Sequence, residues 1–327
     1  MFTSVRKITQ VTSIGILLML SGQALAQNLY PSKPITVVVP TGAGGSTDIV
    51  ARIVSDKLGQ IIGQPVVVTN KAGAAGVIGT QFVTNSEPNG YTLLISTNQI
   101  AMAPHFFEKP PYDATKQLSP VTGLAMVPIV LVMNPKIPVN NVPKLIEYAR
   151  SNPEKLSYGS AGNGSPNHLL FELFKSKAGI NVMHVPYKGI APAVHDVVSG
   201  NLSLAVASLP SVQGLVESGR LKLLAVTSDK RLPSLPDIPT IAEAVPGYEG
   251  SVWVGMWAAT NTPPEIIAKL HSATLQALAD PQVKARLAEG GMLVETSSPR
   301  DLGARLATET NRWSEIVRNL DGPDKKK

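Results

Sequence analysis

The sequence predicts an α/β fold with mainly parallel sheets in two domains. Three observations favour this class: apolar β-branched runs typical of strands buried on both faces, helical patterns that follow them, and the recurrence of this alternation in each half of the chain. The 327 residues are enough for two domains that each bury a core, and the 43% apolar and 16% charged content is that of a globular protein.

The N-terminal segment 1–26 has the features of an export signal. Arg6 and Lys7 precede an apolar run of about ten residues, which is too short to span a bilayer as a membrane anchor. Ala24 and Ala26 then place small residues where a signal peptidase cleaves. The sequence therefore predicts cleavage after Ala26 and a mature chain in the periplasm.

The first half contains one complete βαβ unit. The run Ile35–Val39 predicts a buried strand, and a glycine-rich loop and a helical pattern follow it as far as Gly63, a residue type common at helix C-termini. The next strand is predicted at 66–68, which completes the unit. Further buried strands are predicted at 91–96 and 129–133.

The second half repeats the order strand, glycine loop, helix, without an exact sequence repeat. A short strand is predicted at 156–159, and others are predicted at 182–185, 202–206 and 223–226. The C-terminal third is predicted to be mostly helical, and Thr262 is expected to cap one of its helices through a capping box.

Composition and motifs leave several function classes without support. With no cysteine, the chain has no disulfide, no thiolate nucleophile and no cysteine zinc or iron–sulfur site. The five histidines lack metal-ligand spacing, and neither a nucleophile elbow nor a zinc-protease motif is present. The net charge of +6 is not gathered into a basic stripe with aromatics. We therefore predict no metal, no cofactor, no catalytic residue and no nucleic-acid partner.

Two glycine-rich loops, at 40–48 and 159–168, each join a predicted strand end to a helix N-terminus. Glycine lets the backbone approach a ligand closely, and the N–H groups of a first helical turn bind anions. Neither loop has the lysine of a P-loop or the third glycine of a dinucleotide fingerprint, which favours a small carboxylate as the ligand. Purely structural turns are the alternative.

Three side chains in these loops have two interpretations each. Ser165 precedes a proline, so its hydroxyl either meets a ligand or caps its own helix. Asp48 lies in a first helical turn, where it can complement the helix dipole, and its charge does not suit an anion. His168 either donates to a ligand or caps locally.

The polar residues 96–98 end a buried strand, where ligands bind in open α/β sheets.

Short motifs occur in order along the mature chain: YPSKPI at 30–35, GGSTD at 44–48, NGYTLL at 89–94, LSYGS at 156–160, HVPYKG at 184–189, LAVTS at 224–228 and LPDIPT at 235–240. With these motifs the chain resembles the Bug-type receptors, the extracytoplasmic solute-binding proteins of tripartite tricarboxylate transporters. The resemblance covers essentially the whole mature chain.

The resemblance implies a fold similar to periplasmic binding proteins, with two domains around a ligand cleft and two chain crossovers. Carried onto this sequence, domain 1 is expected at 27–125 plus 230–327 and domain 2 at 126–229. The family places a small organic acid or related polar solute in the cleft. The expected ligand-binding residues are Ala43, Gly44, Gly45, Ser46, Thr47, Asp48, Asn98, Ser160, Ala161, Gly162, Asn163, Gly164, Ser165 and His168.

The sequence departs from the family pattern at positions that bear on specificity. Family members usually carry acidic residues in the segment 200–210, where this chain has Ser203 and Ala207, and an aromatic residue where it has Thr41. We expect a monomeric receptor, not an enzyme, that passes a carboxylate to the membrane permease subunits of a tripartite transporter. The alternatives are a ligand sensor for a signalling partner and a secreted hydrolase on the same scaffold.

Overall fold

The structure, a computed structural model, describes residues 30–320 and contains two β-sheets. The predicted export signal at 1–26 lies outside the described residues. The first sheet is built from β1 (Ile35–Val39), β2 (Val66–Asn70), β3 (Thr92–Thr97), β4 (Leu118–Val127), β10 (Val252–Ala259) and β11 (Leu293–Val294). Its strand order is β11–β4–β10–β3–β1–β2. We call this sheet and the helices that cover it the first lobe.

The second sheet is built from the chain between β4 and β10. Its strands are β5 (Ile129–Met133), β6 (Ser157–Ser160), β7 (Met183–Pro186), β8 (Leu204–Ser208) and β9 (Lys222–Val226). Its strand order is β7–β6–β8–β5–β9. We call this sheet and its helices the second lobe.

Helices separate most of the strands. In chain order they are α1 (Ser46–Ile62), α2 (Val77–Thr84), α3 (Gln99–Met102), α4 (Ala114–Gln117), α5 (Val142–Ser151), α6 (Pro166–Ala178), α7 (Ile190–Ser199), α8 (Leu209–Glu217), α9 (Ile241–Ala244), α10 (Pro264–Ala279), α11 (Pro281–Glu289) and α12 (Pro299–Leu320). Short 3₁₀ turns precede α2 and follow α3. No helix within residues 30–320 is long and apolar enough to cross a membrane.

Both sheets are mixed, so the prediction of mainly parallel sheets is wrong. The predicted βαβ core is parallel: β1 pairs with β2 and β3, and β6 pairs with β7 and β8. The other five pairings between the strands named above are antiparallel: β10 pairs with β3 and β4, β11 pairs with β4, and β5 pairs with β8 and β9. Every residue of β10 is buried. Helices cover both faces of such a strand, so an unbroken apolar run does not indicate pairing direction.

The chain passes between the sheets twice. The first passage is at Pro128, between β4 and β5. After β9 the chain does not return at once: Val226 pairs with Thr240, and Leu232 packs into the core of the second lobe. The return to the first sheet comes with β10 at Val252. The segment 227–249 therefore packs on the second lobe.

Helix ends follow the local sequence in most places. Gly63 ends α1 with a left-handed φ of 70°, as predicted. The predicted cap at Thr262 is wrong, because the Thr262 hydroxyl donates to the carbonyl of Ala259 and α10 begins at Pro264 without a side-chain cap.

Candidate functional site

The N-terminus of α1 is open at the first glycine loop. Its N-cap is Gly45, with extended backbone (φ −74°, ψ 164°), and no side chain caps the helix. Residues 42–45 are exposed, and Gly44 adopts a φ of 80° that glycine accommodates without strain. The first-turn N–H groups of Ser46 and Thr47 have no intrahelical acceptor. This helix end therefore presents main-chain donors and the positive end of the helix dipole to a ligand.

The Asp48 carboxylate holds the conformation of this loop through hydrogen bonds. Its carboxylate accepts hydrogen bonds from the Gly44 N–H, the Arg52 Nε and the Asn70 Nδ2, each at 2.9 Å. Partial burial would raise the pKa of Asp48, but the hydrogen bonds from Arg52, Gly44 and Asn70 outweigh burial, and the pKa is lowered. All of these partners belong to the protein, so the Asp48 side chain holds the shape of the loop and its charge is paired with Arg52.

The second glycine loop, in contrast, ends in a capped helix. The Ser165 hydroxyl accepts a hydrogen bond from the His168 N–H at 3.3 Å and donates to the Gly162 carbonyl at 2.7 Å. Pro166 occupies the first position of α6 and has no N–H. The structure thus selects local capping between the two interpretations of Ser165, and this helix end is less open to an anion than that of α1.

Two histidines hold the backbone of the second loop. Gly164 donates its N–H to the Nδ1 of His168 at 3.2 Å, which is the local interaction rather than the ligand contact. Gly162 donates its N–H to the Ser160 hydroxyl at 3.1 Å, and this hydroxyl lies 2.7 Å from the Nε2 of His184. Sequence reasoning missed His184, because nothing local shows that its strand lies beside β6.

The main-chain N–H groups of Ala161, Asn163 and Asn167 are the second loop's remaining donors. None of the three forms a hydrogen bond with another residue in the described part of the chain, 30–320. The side chain of Asn163 is exposed, whereas Ser160 and Ser165 are buried. The two loops therefore differ: the first offers an open helix end, and the second offers isolated neutral donors.

Aromatic rings stack behind the second loop. The His168 and His184 rings lie 4.1 Å apart between centroids, and His184 stacks on Tyr158 at 4.8 Å. Burial lowers the pKa of both histidines to about 4, and the charge of His184 contributes to the lowering at His168. Both rings are therefore neutral at pH 7 and act as hydrogen-bonding and stacking groups rather than as charges.

The two lobes meet at the second loop. The Phe106 ring of the first lobe lies 5.5 Å from the His168 ring, centroid to centroid, and a Cβ placed on Gly164 would come within 3.4 Å of the Phe106 ring and 3.6 Å of the Cβ of Ala75. Ala75 is followed by Gly76, and a Cβ placed on Gly76 would lie 3.4 Å from the side chain of Pro40, the first residue of the first glycine loop. The 74–76 turn thus connects the two glycine loops.

That turn was not recognised from the sequence as part of the site. Four consecutive residues have positive φ: Gly73 (137°), Ala74 (47°), Ala75 (51°) and Gly76 (86°). The left-handed region is unfavourable for alanine, so the surrounding packing holds this conformation in place. The pair of alanines flanked by Gly73 and Gly76 is the signal that could have identified it.

Asn98 lies at the junction of β3 with the C-terminal helix. Its amide nitrogen donates to the Ser251 carbonyl at 3.0 Å and to the Oε2 of Glu309 at 2.8 Å, and its Oδ1 is buried without a partner. Burial raises the pKa of Glu309, and hydrogen bonds from Trp253 and Asn98 partly offset this effect. The amide of Asn98 is thus committed to the structure around the second chain passage.

The two positions that depart from the family pattern in the second lobe lie in its core. Ser203 is buried and accepts a hydrogen bond from the Ser157 N–H at 3.2 Å. Ala207 is fully buried in β8.

Two cavities lie away from the glycine loops. One, of about 20 Å³, sits at the chain passages between 126–129 and 227–228. The other, of about 390 Å³, lies in the first lobe against α12. Within residues 30–320, no group of three or more acidic or histidine side chains could hold a metal ion.

Two α/β lobes joined by two chain passages, with the second glycine loop at their contact, have the architecture of periplasmic binding proteins. The family model described as "Tripartite tricarboxylate transporter family receptor" matches residues 50–321. Protein BugT of Bordetella pertussis is 36% identical over 310 residues, which are 93% of this chain and 95% of BugT. The chain therefore belongs to the tripartite tricarboxylate transporter family of receptors, which confirms the resemblance found in the sequence.

Solved structures support the same assignment. R. palustris Rpa4515 with adipate superposes with a TM-score of 0.83 at 36% identity and covers 89% of this chain and 98% of its own. MatC from Rhodopseudomonas palustris with bound malate superposes with a TM-score of 0.81 at 30% identity and covers 88% of this chain and 100% of its own. The predicted periplasmic-binding-protein fold is confirmed.

Proposed function

We propose that this protein is a periplasmic receptor that captures a small carboxylate between its lobes and returns it unchanged. One observation carries this proposal: the uncapped N-terminus of α1, at Gly45, belongs to the loop that begins at Pro40, and Pro40 lies against the 74–76 turn that contacts the second lobe at Gly164. Such a helix end stabilises an anion without a Lys or Arg side chain. The similar proteins found with adipate and malate support the same ligand class.

The ligand-binding residues follow from which polar groups remain free. We infer that the segment 43–47 holds one carboxylate through the main-chain N–H groups of Ala43, Gly45, Ser46 and Thr47 and the Ser46 hydroxyl, while Gly44, whose N–H is bonded to Asp48, gives the loop its shape. The main-chain N–H groups of Ala161 and Asn163, in the second loop, hold the far end of the ligand.

The remaining expected residues act on the shape of the site. Asp48 fixes the first loop, whereas Ser160, Gly162, Gly164, Ser165 and His168 fix the second loop. Asn98 supports the junction with α12, and only its Oδ1 is free for a ligand or a bridging water.

We propose a two-domain division that follows the packing. Domain 2 spans about 128–249, and domain 1 takes the mature chain on either side. The predicted second boundary at 229 moves to about 250, because Leu232 and Thr240 pack on the second lobe. The two passages at Pro128 and 250–251 are then the hinge about which the domains close on a ligand.

The partner of the loaded receptor is proposed to be the membrane subunits of a tripartite transporter. The mature chain begins at Gln27 and works as a monomer in the periplasm. An intact-mass measurement of exported protein checks the cleavage: a chain that retains residues 1–26 contradicts it.

Isothermal titration tests the ligand class. We expect adipate or malate to bind with one site per chain and to be recovered intact, and we expect ATP and metal ions not to bind. Tight nucleotide binding without binding of any organic acid overturns the proposal, and chemical change of the ligand indicates a hydrolase. Small-angle scattering should show a smaller radius of gyration with ligand.

A further inference from the structure

The conformation of the second glycine loop depends on a histidine nitrogen that carries no proton. The main-chain N–H of Gly164 donates to the Nδ1 of His168 at 3.2 Å, and a ring nitrogen that accepts a hydrogen bond holds no proton of its own. The proton of the neutral ring is therefore on Nε2. A second proton, on Nδ1, would place two donors against each other, so the charged form of His168 does not fit this loop conformation.

Contact between the lobes affects how easily His168 takes up that proton. The Phe106 ring of the first lobe lies 5.5 Å from the His168 ring, centroid to centroid. When the lobes separate, His168 loses this neighbour and water reaches the imidazole. Hydration favours the charged form of a histidine, so protonation is easier when the lobes are apart.

The charged groups near the ring belong to the second lobe. Glu172 and Lys175 of α6 form an ion pair at 2.8 Å, and Glu172 also accepts a hydrogen bond from the Tyr158 hydroxyl at 2.6 Å. Burial is the largest cause that lowers the pKa of His168; a charge on His184 lowers this pKa further, Glu172 raises it and Lys175 lowers it. Because these groups stay with His168 when the lobes move, closure changes the burial of the ring rather than its charged neighbours.

We propose that His168 is a positioning residue that makes ligand capture pH-dependent: its neutral ring holds the second loop in the binding conformation with the lobes in contact, whereas its protonation releases the loop and favours separated lobes. The inference rests on the proposed receptor function, because Ala161 and Asn163, assigned to the far end of the ligand, flank Gly162 in this loop. Since the lobes in contact bind fewer protons than the separated lobes, acid favours separation and weakens carboxylate binding.

Titration calorimetry with adipate at pH 7 and at about pH 5 tests this role. The readout is the ratio of the dissociation constant at the lower pH to that at the higher pH, which we expect to be about threefold larger in the unmodified protein than in His168→Asn. Asparagine offers an oxygen acceptor to Gly164 and does not titrate. His195→Asn, at an exposed site of the same lobe, should keep the ratio of the unmodified protein.

Proton uptake by adipate itself contributes equally to all of these ratios, so it cancels in the comparison. Equal ratios for the unmodified protein and His168→Asn overturn the proposal. His168→Leu removes the acceptor for Gly164 altogether, and at pH 7 it should bind adipate more weakly than His168→Asn does. Equal affinities of these two variants contradict the positioning role.

The separation of the lobes is measured without ligand. The chain has no cysteine, so Ile78→Cys and Lys188→Cys place one spin label at an exposed position of each lobe. The distance between the labels should lengthen from pH 7 to about pH 5, and adding His168→Asn should abolish this change. If the distance responds in this way and no carboxylate binds, the receptor function alone fails. If adipate binds but the distance does not change with pH, or changes equally in His168→Asn, the present inference alone fails.

Discussion

The Phe106 ring of the first lobe and the His168 ring of the second lobe meet at an interplanar angle of 61°, with centroids 5.5 Å apart. The contact lies where Gly164 approaches Phe106, so the absence of a side chain on Gly164 permits it. Aromatic pairs of this geometry contribute about 0.5–1.5 kcal/mol beyond their buried area. Phe106 therefore stabilises the contact between the two lobes.

Replacing Phe106 by alanine should weaken carboxylate binding. We expect Phe106→Ala to lower the adipate affinity about two- to tenfold, because that range corresponds to the loss of one aromatic pair. Phe107→Ala is the matched control, since Phe107 is 38% exposed. Titration calorimetry checks both variants, and equal affinities for the two contradict the role of Phe106 in closure.

The hypothesis that main-chain N–H groups of the first loop bind the ligand can be tested at two adjacent residues. We expect Gly45→Val to reduce carboxylate affinity more than tenfold, because a branched side chain blocks the approach to the helix end. The variant should fold, since φ is −74° and a Cβ would lie 3.6 Å from the Gly42 carbonyl. Ser46→Ala removes one neutral hydrogen bond and should cost only about 0.5–1.5 kcal/mol. If both substitutions weaken binding equally, side chains and not the backbone hold the ligand.

Asp48→Asn should destabilise the fold in a pH-dependent way. The pKa of Asp48 is lowered in the folded chain, so its contribution is present above the ordinary aspartate pKa of about 3.9 and is lost as the pH falls through the folded pKa. We expect a loss of about 1–2 kcal/mol at pH 7 that shrinks below about pH 4. Urea unfolding measures it. Asp56→Asn, on the exposed face of α1, is the control, and a pH-independent loss for Asp48→Asn would argue against charge pairing.

The stacked histidines should make the protein acid-sensitive. The pKa of His168 and His184 is about 4 in the folded chain, whereas an unfolded histidine has a pKa of about 6.5. Between these values the unfolded chain binds more protons, so stability falls as the pH decreases from about 6.5 to 4. We expect the Tm to fall across this window and the slope to be reduced in His184→Gln. His195→Gln, at an exposed site, should keep the original slope; identical slopes in both variants would contradict the assignment.

The local units of the fold could be predicted from the sequence. Strand β1, the glycine loop after it and the end of α1 at Gly63 follow from a β-branched run, glycine and helical spacing, all of which act over a few residues. The cap at Ser165 was one of two interpretations, and proline at the next position already favoured it. The order of motifs along the chain was sufficient to indicate the receptor family.

Only the tertiary structure decided three features of the fold. They are the direction in which the strands pair, the position of the second chain passage, and the hydrogen-bond partners of the polar side chains. Asp48 meets Asn70 from the next strand, Ser160 meets His184 across β6 and β7, and Asn98 meets Glu309 from the last helix. A hydrogen bond depends on atoms within about 3 Å, and residues 22 to 211 positions apart reach that distance only when the sheets and helices have packed. The sequence determined where the two glycine-rich strand-to-helix loops lie, and the packing determined how open each loop is and which of its polar groups remain without a partner.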